Sequence, residues 1–237
     1  MRYVIGDVHG CLARLILLIE SIEKRGDVSQ IVFLGDYIDR GPHSKETIDY
    51  LIALSKKHPC VFLRGNHDDI FGYMLDLPML SNPEYWVSRS SFTPGFAFDW
   101  FLSHGLENTL RSYNILDKLN FDKPFHNINL LKETVPQEHK EFFRNLVHYY
   151  ECEDFVAYHA MPTSDIHESL WGRYMTLKEA ANYNGKKAII GHTPVQQYGE
   201  DDPQRAGNLI LLDTLSFRDY GSLSAYCVET DSFISIS

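Results

Sequence analysis

Three short strings constrain this chain more than anything else in it: Gly6-Asp7-Val8-His9-Gly10, Gly35-Asp36-Tyr37-Ile38-Asp39-Arg40-Gly41 and Gly65-Asn66-His67-Asp68. Each follows a compact apolar run (Tyr3 to Ile5, Ile31 to Leu34, Cys60 to Leu63) with the length of a buried strand. Each therefore delivers oxygen or imidazole donors to the C-terminal end of a strand, where open α/β sheets bind ligands. Two later runs do the same: Phe155 to Tyr158 leads into His159, and Lys187 to Gly191 leads into His192. Five strand ends closing on carboxylate, amide or imidazole groups predict one polynuclear metal site, and with it metal-assisted hydrolysis.

Between the strings the pattern turns helical. Leu12, Leu15, Ile16, Ile19 and Ile22 recur at helical spacing, and Gly26 fits as the stop. Pro42 breaks the chain after the second string, Ser44 is placed to cap a second helix, and Ile48, Leu51 and Ile52 give that helix its buried stripe. A third helix is expected to start near Asn66 to Asp69. From Gly72 to about Gly105 the sequence is rich in aromatics and proline, among them Tyr73, Pro83, Tyr85, Trp86, Phe92, Phe98, Trp100 and Phe101. No period of 2 or 3.6 runs through it. This predicts a largely irregular or short-helical insertion over the strand ends, followed by a helix from Glu138 to Tyr149. Strands return at Asn208 to Leu212, Leu223 to Glu229 and Ser232 to Ile236, so residues 1–237 read as one continuous α/β domain.

Composition limits the partners. With 237 residues, 44% of them apolar, a sizeable core is available. The net charge of −10 argues against general affinity for nucleic acid or an anionic membrane surface. It does not argue against a phosphate substrate, because bound cations reverse the local field. Cys11, Cys60, Cys152 and Cys227 show no paired spacing, which fits a reducing, cytoplasmic setting. The apolar stretch Leu15 to Ile19 is far too short to span a membrane.

The donor set suggests how such a site would work. Two cations about 3.5–4 Å apart clamp a phosphate and generate hydroxide near neutral pH. Holding them so close needs a bridging carboxylate, and Asp36 is central among the strand ends. Asp7 and His9 can serve one metal; Asn66, His159 and His192 would serve the other. Mixed oxygen and nitrogen donors suit manganese, iron or zinc, with manganese the first choice. His67, supported by Asp39, is the candidate acid for the leaving oxygen, since an aspartate on one ring nitrogen orients the other toward the reaction. Arg40 can grip phosphate oxygens bidentately, and Arg173 is a candidate second grip. The remaining histidines lack comparable context.

Together these strings resemble the signature motifs of the phosphoprotein phosphatase family of calcineurin-like metallophosphoesterases, of the bacterial and lambda-phage serine/threonine type. The resemblance extends to His159-Ala160, Trp171-Gly172-Arg173, Gly191-His192-Thr193-Pro194 and the Asp213-Thr214 to Leu223 strand pair. It implies a β-sandwich flanked by helices and a dinuclear-metal-bound hydroxide attacking phosphorus directly. Asp7, His9, Asp36, Asn66, His159 and His192 would be the ligands, Arg40 and Arg173 the phosphate grips, and His67 with Asp39 the acid. The expected substrate is phosphoserine or phosphothreonine protein, with a symmetrical dinucleoside tetraphosphate, or another small phosphate ester, as the alternative. Asp39 points to the phosphatase. Asp68 stands where the family usually has Glu and points to the tetraphosphate hydrolase. Pro194 stands where the nuclease branch has a histidine. Met161-Pro162 and Leu215-Ser216 depart from the pattern at the expected substrate rim.

Overall fold

The structure is a computed structural model describing residues 1–82, 92–120 and 124–237. It opens with β-α units: β1 (Arg2–Ile5), α1 (Leu12–Glu23), β2 (Gln30–Phe33), α2 (Ser44–Ser55), β3 (Cys60–Phe62) and α3 (Asn66–Met74). The chain then enters a helical segment before returning to strands. These are β4 (Tyr149–Glu151), β5 (Val156–Tyr158), β6 (Ala188–Ile190), β7 (Gln204–Ala206), β8 (Leu209–Leu211), β9 (Leu223–Cys227) and β10 (Ser232–Ile236). Two five-stranded mixed sheets result, ordered β10-β9-β1-β2-β3 and β4-β5-β6-β8-β7. In the first, β1, β2 and β3 run parallel; in the second, β5, β6 and β8 do.

Side-chain alternation explains the layering. Val4, Val32, Ala157, Ile189, Ile210 and Tyr226 face inward and pack as one layer between the sheets. Their neighbours Tyr3, Ile5, Ile31 and Phe33 face the other way, onto Leu15, Leu18 and Ile22 of α1 and Ile48 and Leu51 of α2. On the far side, Ala188, Ile190, Leu209 and Leu211 pack against Tyr174, Ala180 and Val195. Because these strands are apolar on both faces, the parallel strands are largely buried, with β3 only partly so, and the polar strand ends become the natural place for a site. The expected α/β sandwich flanked by helices is what forms.

The segment between α3 and β4 is more helical than expected. It contains α4 (Pro94–Phe101), a π-helical turn over Leu102–Leu106, α5 (Glu107–Ser112), a 3₁₀ turn, α6 (Pro124–Thr134) and α7 (Gln137–Arg144). Thr93 starts α4 by accepting the Phe96 amide at 3.2 Å, with Pro94 in the first turn. The missing period has a physical cause: Phe98, Phe101 and Phe143 are buried among other helices, so no single polar face remains to mark the turn of the helix. Pro83, Tyr85 and Trp86 lie outside the described residues. The helix expected over Glu138–Tyr149 stops at Arg144. Val147 then hydrogen-bonds Phe62 and Arg64 beside β3 (3.0 and 2.8 Å), and Tyr149 begins an edge strand. Ser44 is the first residue of α2 rather than its cap; its hydroxyl is committed elsewhere. Among the described residues no helix is long and apolar enough to cross a membrane.

Candidate active site

All the anticipated strand ends converge. Asp7 and His9 follow β1; Asp36, Asp39 and Arg40 follow β2; Asn66 and His67 open α3 after β3. From the second sheet come His159 after β5 and His192 after β6. Every one except Arg40 is buried. The loops reach this point by sharp left-handed steps, with φ of 47° at His9, 54° at Asp36, 68° at Asp39, 66° at Arg40 and 62° at His192. Such backbone is costly for residues with side chains and is held here by surrounding structure. The β2 and β3 loops also touch at their glycines. A Cβ on Gly65 would sit 2.1 Å from Asp36 Oδ1, and one on Gly35 2.4 Å from the Gly65 amide nitrogen.

The three histidines His9, His159 and His192 share one arrangement. A ring nitrogen of each meets a backbone carbonyl: His9 Nδ1 with Ile38 (2.8 Å), His159 Nδ1 with Leu34 (2.8 Å) and His192 Nε2 with Trp171 (3.2 Å). A carbonyl accepts only from N–H, which fixes the tautomer and leaves a lone pair on the other nitrogen. Those lone pairs point at oxygens. His159 Nε2 and His192 Nδ1 lie 2.9 and 3.0 Å from Asn66 Oδ1, while His9 Nε2 and His159 Nε2 each lie 3.5 Å from an Asp36 oxygen. Burial lowers the pKa of all three rings, keeping them neutral. Neutral imidazole lone pairs facing amide and carboxylate oxygens repel unless a cation lies among them, so these residues fit divalent metal. Two groups of donor atoms close enough for this share Asp36: His9 with Asp36 and His67, and Asp36 with His159 and His192.

Asp7 stands slightly apart. Its two carboxylate oxygens accept the His192 amide at 3.2 and 3.1 Å, and it belongs to neither group. Sequence reasoning passed over Asp213, which ends β8 as the other donors end their strands; that signal was available. Burial raises the carboxyl pKa of both Asp7 and Asp213, and at Asp7 the charges of Asp213 and Asp36 raise it further. Closely spaced buried carboxylates of this kind also require a cation or a proton.

His67 faces the other way. Its Nδ1 is 2.7 Å from Asp39 Oδ2, and its Nε2 is 3.1 Å from the Arg40 guanidinium. The helical segment holds this side in place. Thr109 Oγ1 donates to Asp39 Oδ1 (2.6 Å) and accepts the Asp39 amide (2.9 Å), and Ser44 Oγ joins both (3.1 Å to the amide, 2.9 Å to Thr109). Arg40 N–H donates to the Gly105 carbonyl (3.1 Å), and Asn108 Nδ2 donates to the Arg40 carbonyl (2.6 Å). Nothing in the sequence marked Asn108 or Thr109. Arg173 is exposed, with one guanidinium nitrogen donating to the His192 carbonyl at 3.1 Å. Asp68 is wholly committed to scaffold: its carboxylate accepts the amides of Asp36 (2.7 Å), Tyr37 (3.1 Å) and Gly65 (2.9 Å). It clamps the β2 loop to the β3 loop.

The sequence pattern of calcineurin-like phosphoesterases matches residues 2–196. The chain belongs to that family. Calcineurin-like phosphoesterases use a dinuclear divalent metal centre, which agrees with two donor groups sharing one aspartate. The asymmetrical bis(5'-nucleosyl)-tetraphosphatase PrpE of Halalkalibacterium halodurans is 28% identical over 217 residues, covering 82% of this chain and 78% of the relative. Serine/threonine-protein phosphatase 1 of Salmonella typhimurium is 24% identical over 198 residues, covering 82% and 79%. Among solved structures, a candidate diadenosine tetraphosphatase superposes with a TM-score of 0.59 at 18% identity, covering 99% of this chain and 92% of that one. Relatives within this phosphoesterase family thus include both phosphoprotein and dinucleotide enzymes.

Proposed function

We propose that the protein is a metal-dependent phosphomonoesterase acting on phosphoserine or phosphothreonine in proteins. Two divalent cations, manganese first among them, would be held by Asp7, His9, Asp36, Asn66, His159 and His192, and when bound they supply a deprotonated water and neutralise phosphoryl charge. Arg40 and Arg173 orient the phosphoryl group through its oxygens. In the structure the Arg40 guanidinium, which can only donate, faces the His67 Nε2 lone pair; with Arg40 turned to the phosphoryl oxygens, His67 would take up a proton at Nε2 and pass it to the departing oxygen while Asp39 accepts from Nδ1–H.

The observation that carries the substrate reading is the 2.7 Å contact between His67 Nδ1 and Asp39 Oδ2, with His67 Nε2 beside Arg40. A serine or threonine alkoxide is a very poor leaving group and needs a proton as the bond breaks. The phosphate leaving group of an anhydride is already a weak base and needs none. A built acid is therefore most useful to an ester hydrolase. The cysteines are all free, in keeping with a cytoplasmic setting. The tetraphosphatase that aligns over 82% of this chain supports a second reading, hydrolysis of a dinucleoside tetraphosphate. The test compares a phosphoserine peptide, p-nitrophenyl phosphate and diadenosine tetraphosphate on metal-stripped protein with manganese restored. Peptide turnover is expected; turnover of the dinucleotide alone would overturn the phosphoprotein reading.

A further inference from the structure

Arg40 borders more than the metal donors. It also lines a cavity of about 510 Å³ together with His104, Leu215, Phe217, Arg218 and Tyr220. A second cavity, about 240 Å³, shares Phe217 and Arg218 and adds Arg14 and His43. The larger one lies on the leaving-group side of the site, because the Arg40 guanidinium that borders it is the one beside His67 Nε2.

The groove departs from the rest of the molecule in charge. In a chain of net charge −10, its larger part carries two guanidiniums and an imidazole and no carboxylate among its described lining residues. The smaller part adds a third guanidinium and one carboxylate, Asp219. Among the described residues neither Arg40 nor Arg218 has a carboxylate within salt-bridge distance. Both are fixed instead on Phe217, with guanidinium carbons 4.9 and 5.2 Å from its ring centre. Phe217 in turn sets its ring edge-on to His9 at 5.3 Å. One aromatic ring therefore holds a second, unpaired cation at a set distance from the phosphate grip. With its ring already taken up by guanidiniums, Phe217 has little to offer a nucleobase; what the groove presents is charge.

We propose that this groove is a subsite for acidic side chains flanking the phosphorylated residue, and that Arg218 selects them. The inference rests on the phosphoprotein reading above. An exposed guanidinium with no carboxylate partner among the described residues can exchange its water for a ligand, and a carboxylate two or three residues from the phosphoserine is a side chain that can take it bidentately. Because Arg218 is exposed, the contribution is modest and screened by salt.

The test uses phosphoserine peptides identical except for Asp, Ala or Lys in the flanking positions, hydrolysed by the manganese-loaded enzyme. In parallel, fluorescein-labelled versions are titrated with metal-free protein and followed by anisotropy. The expected order is Asp over Ala over Lys in both readouts, with each well-placed carboxylate worth about two- to five-fold, the range of an exposed ion pair. Arg218→Ala should remove that ratio, Arg218→Glu should reverse it, and added salt should shrink it in the parent protein. Equal treatment of the three peptides by the parent, or a ratio unchanged in Arg218→Glu, overturns the proposal. So does a loss in Arg218→Glu confined to diadenosine tetraphosphate, which assigns the groove to a nucleotide. Failure of every phosphopeptide to turn over, with anisotropy still ranking them Asp over Ala over Lys, instead overturns the phosphoprotein reading and keeps the subsite.

Discussion

The two halves of this site are built in different ways. On one side, Asp7, His9, Asp36, Asn66, His159 and His192 are each delivered by the strand or loop immediately before them, and the parallel strands within two mixed sheets bring them together. On the other, Asp39 and Arg40 sit on a left-handed loop that the sheets do not complete. Their fixity comes from Gly105, Asn108 and Thr109, some 65 to 70 residues away on a helical segment. Donor placement follows from the sandwich itself; the placement of the Asp39-Arg40 loop is supplied from outside it. The first should be hard to disturb without losing metal, and the second tunable without touching metal at all.

The largest effect is expected at Asp36, shared by both donor groups. Asp36→Ala should lose bound manganese and turnover together, as measured by metal analysis after dialysis; retained metal would break the division of labour. His67→Asn should keep its metal and lose about 10²–10⁴-fold in turnover of a phosphoserine ester. It should lose far less on p-nitrophenyl phosphate, whose phenolate leaves without help. Next comes Thr109→Val, which removes the hydroxyl that orients Asp39. A slightly misaimed acid costs up to about 10²-fold, so the loss should again fall on the alkyl ester and spare metal content. Thr109→Ser should restore it, whereas equal loss on both substrates would make Thr109 part of general packing.

Smaller effects concern stability. Asp68→Ala leaves three buried amides without their acceptor, and hydrogen bonds to charged groups are worth about 1.5–3 kcal/mol each. Because the substitution also removes a carboxylate whose burial is unfavourable, the net loss in urea unfolding is expected to be about 3 kcal/mol, below the sum of the three bonds, with the ratio of peptide to dinucleotide turnover unchanged. A changed ratio would return Asp68 to substrate recognition. The last effect is in pH. In metal-free protein the folded-state pKa values of Asp7 and Asp213 lie above the ordinary 3.8, so the folded chain binds extra protons and its stability falls as pH rises through that window. Those of His9, His159 and His192 lie below 6.5, so the unfolded chain binds more protons and stability falls as pH drops below 6.5. A divalent cation replaces the carboxylate protons and competes with those on the rings, so the rise in Tm on adding manganese should grow from about pH 5 to about pH 7.5.

The same contrast governs what could be read from the sequence. An apolar run closing on a carboxylate, an amide or a histidine is local information, and it placed nine candidate residues at the ends of their strands. Asp213 carried the same signal, and only its place in a strand pair drew attention away from it. Thr109 carried none, because a threonine in a helix announces no partner 70 residues back. Ser44 illustrates the ambiguity directly: its position suits a helix cap, yet its hydroxyl bonds Asp39 and Thr109. The helices of residues 94–144 were hidden by burial on several faces, which erases the amphipathic period. Asp68 was legible as a residue of interest but not in its role, since only the fold shows the three amides it holds.

The donors facing Asn66 come from both sheets, and His192 follows it by 126 residues. At about 5–20 residues per second on a ribosome, some 6 to 25 seconds of synthesis separate them. For the first 93 of those residues the emerging chain offers a cation only the donors of its first third; His159 then joins them, and His192 comes last. The donors around Asn66 are therefore complete only once the second sheet has docked, whereas Asp7, His9 and Asp36 are present from the start.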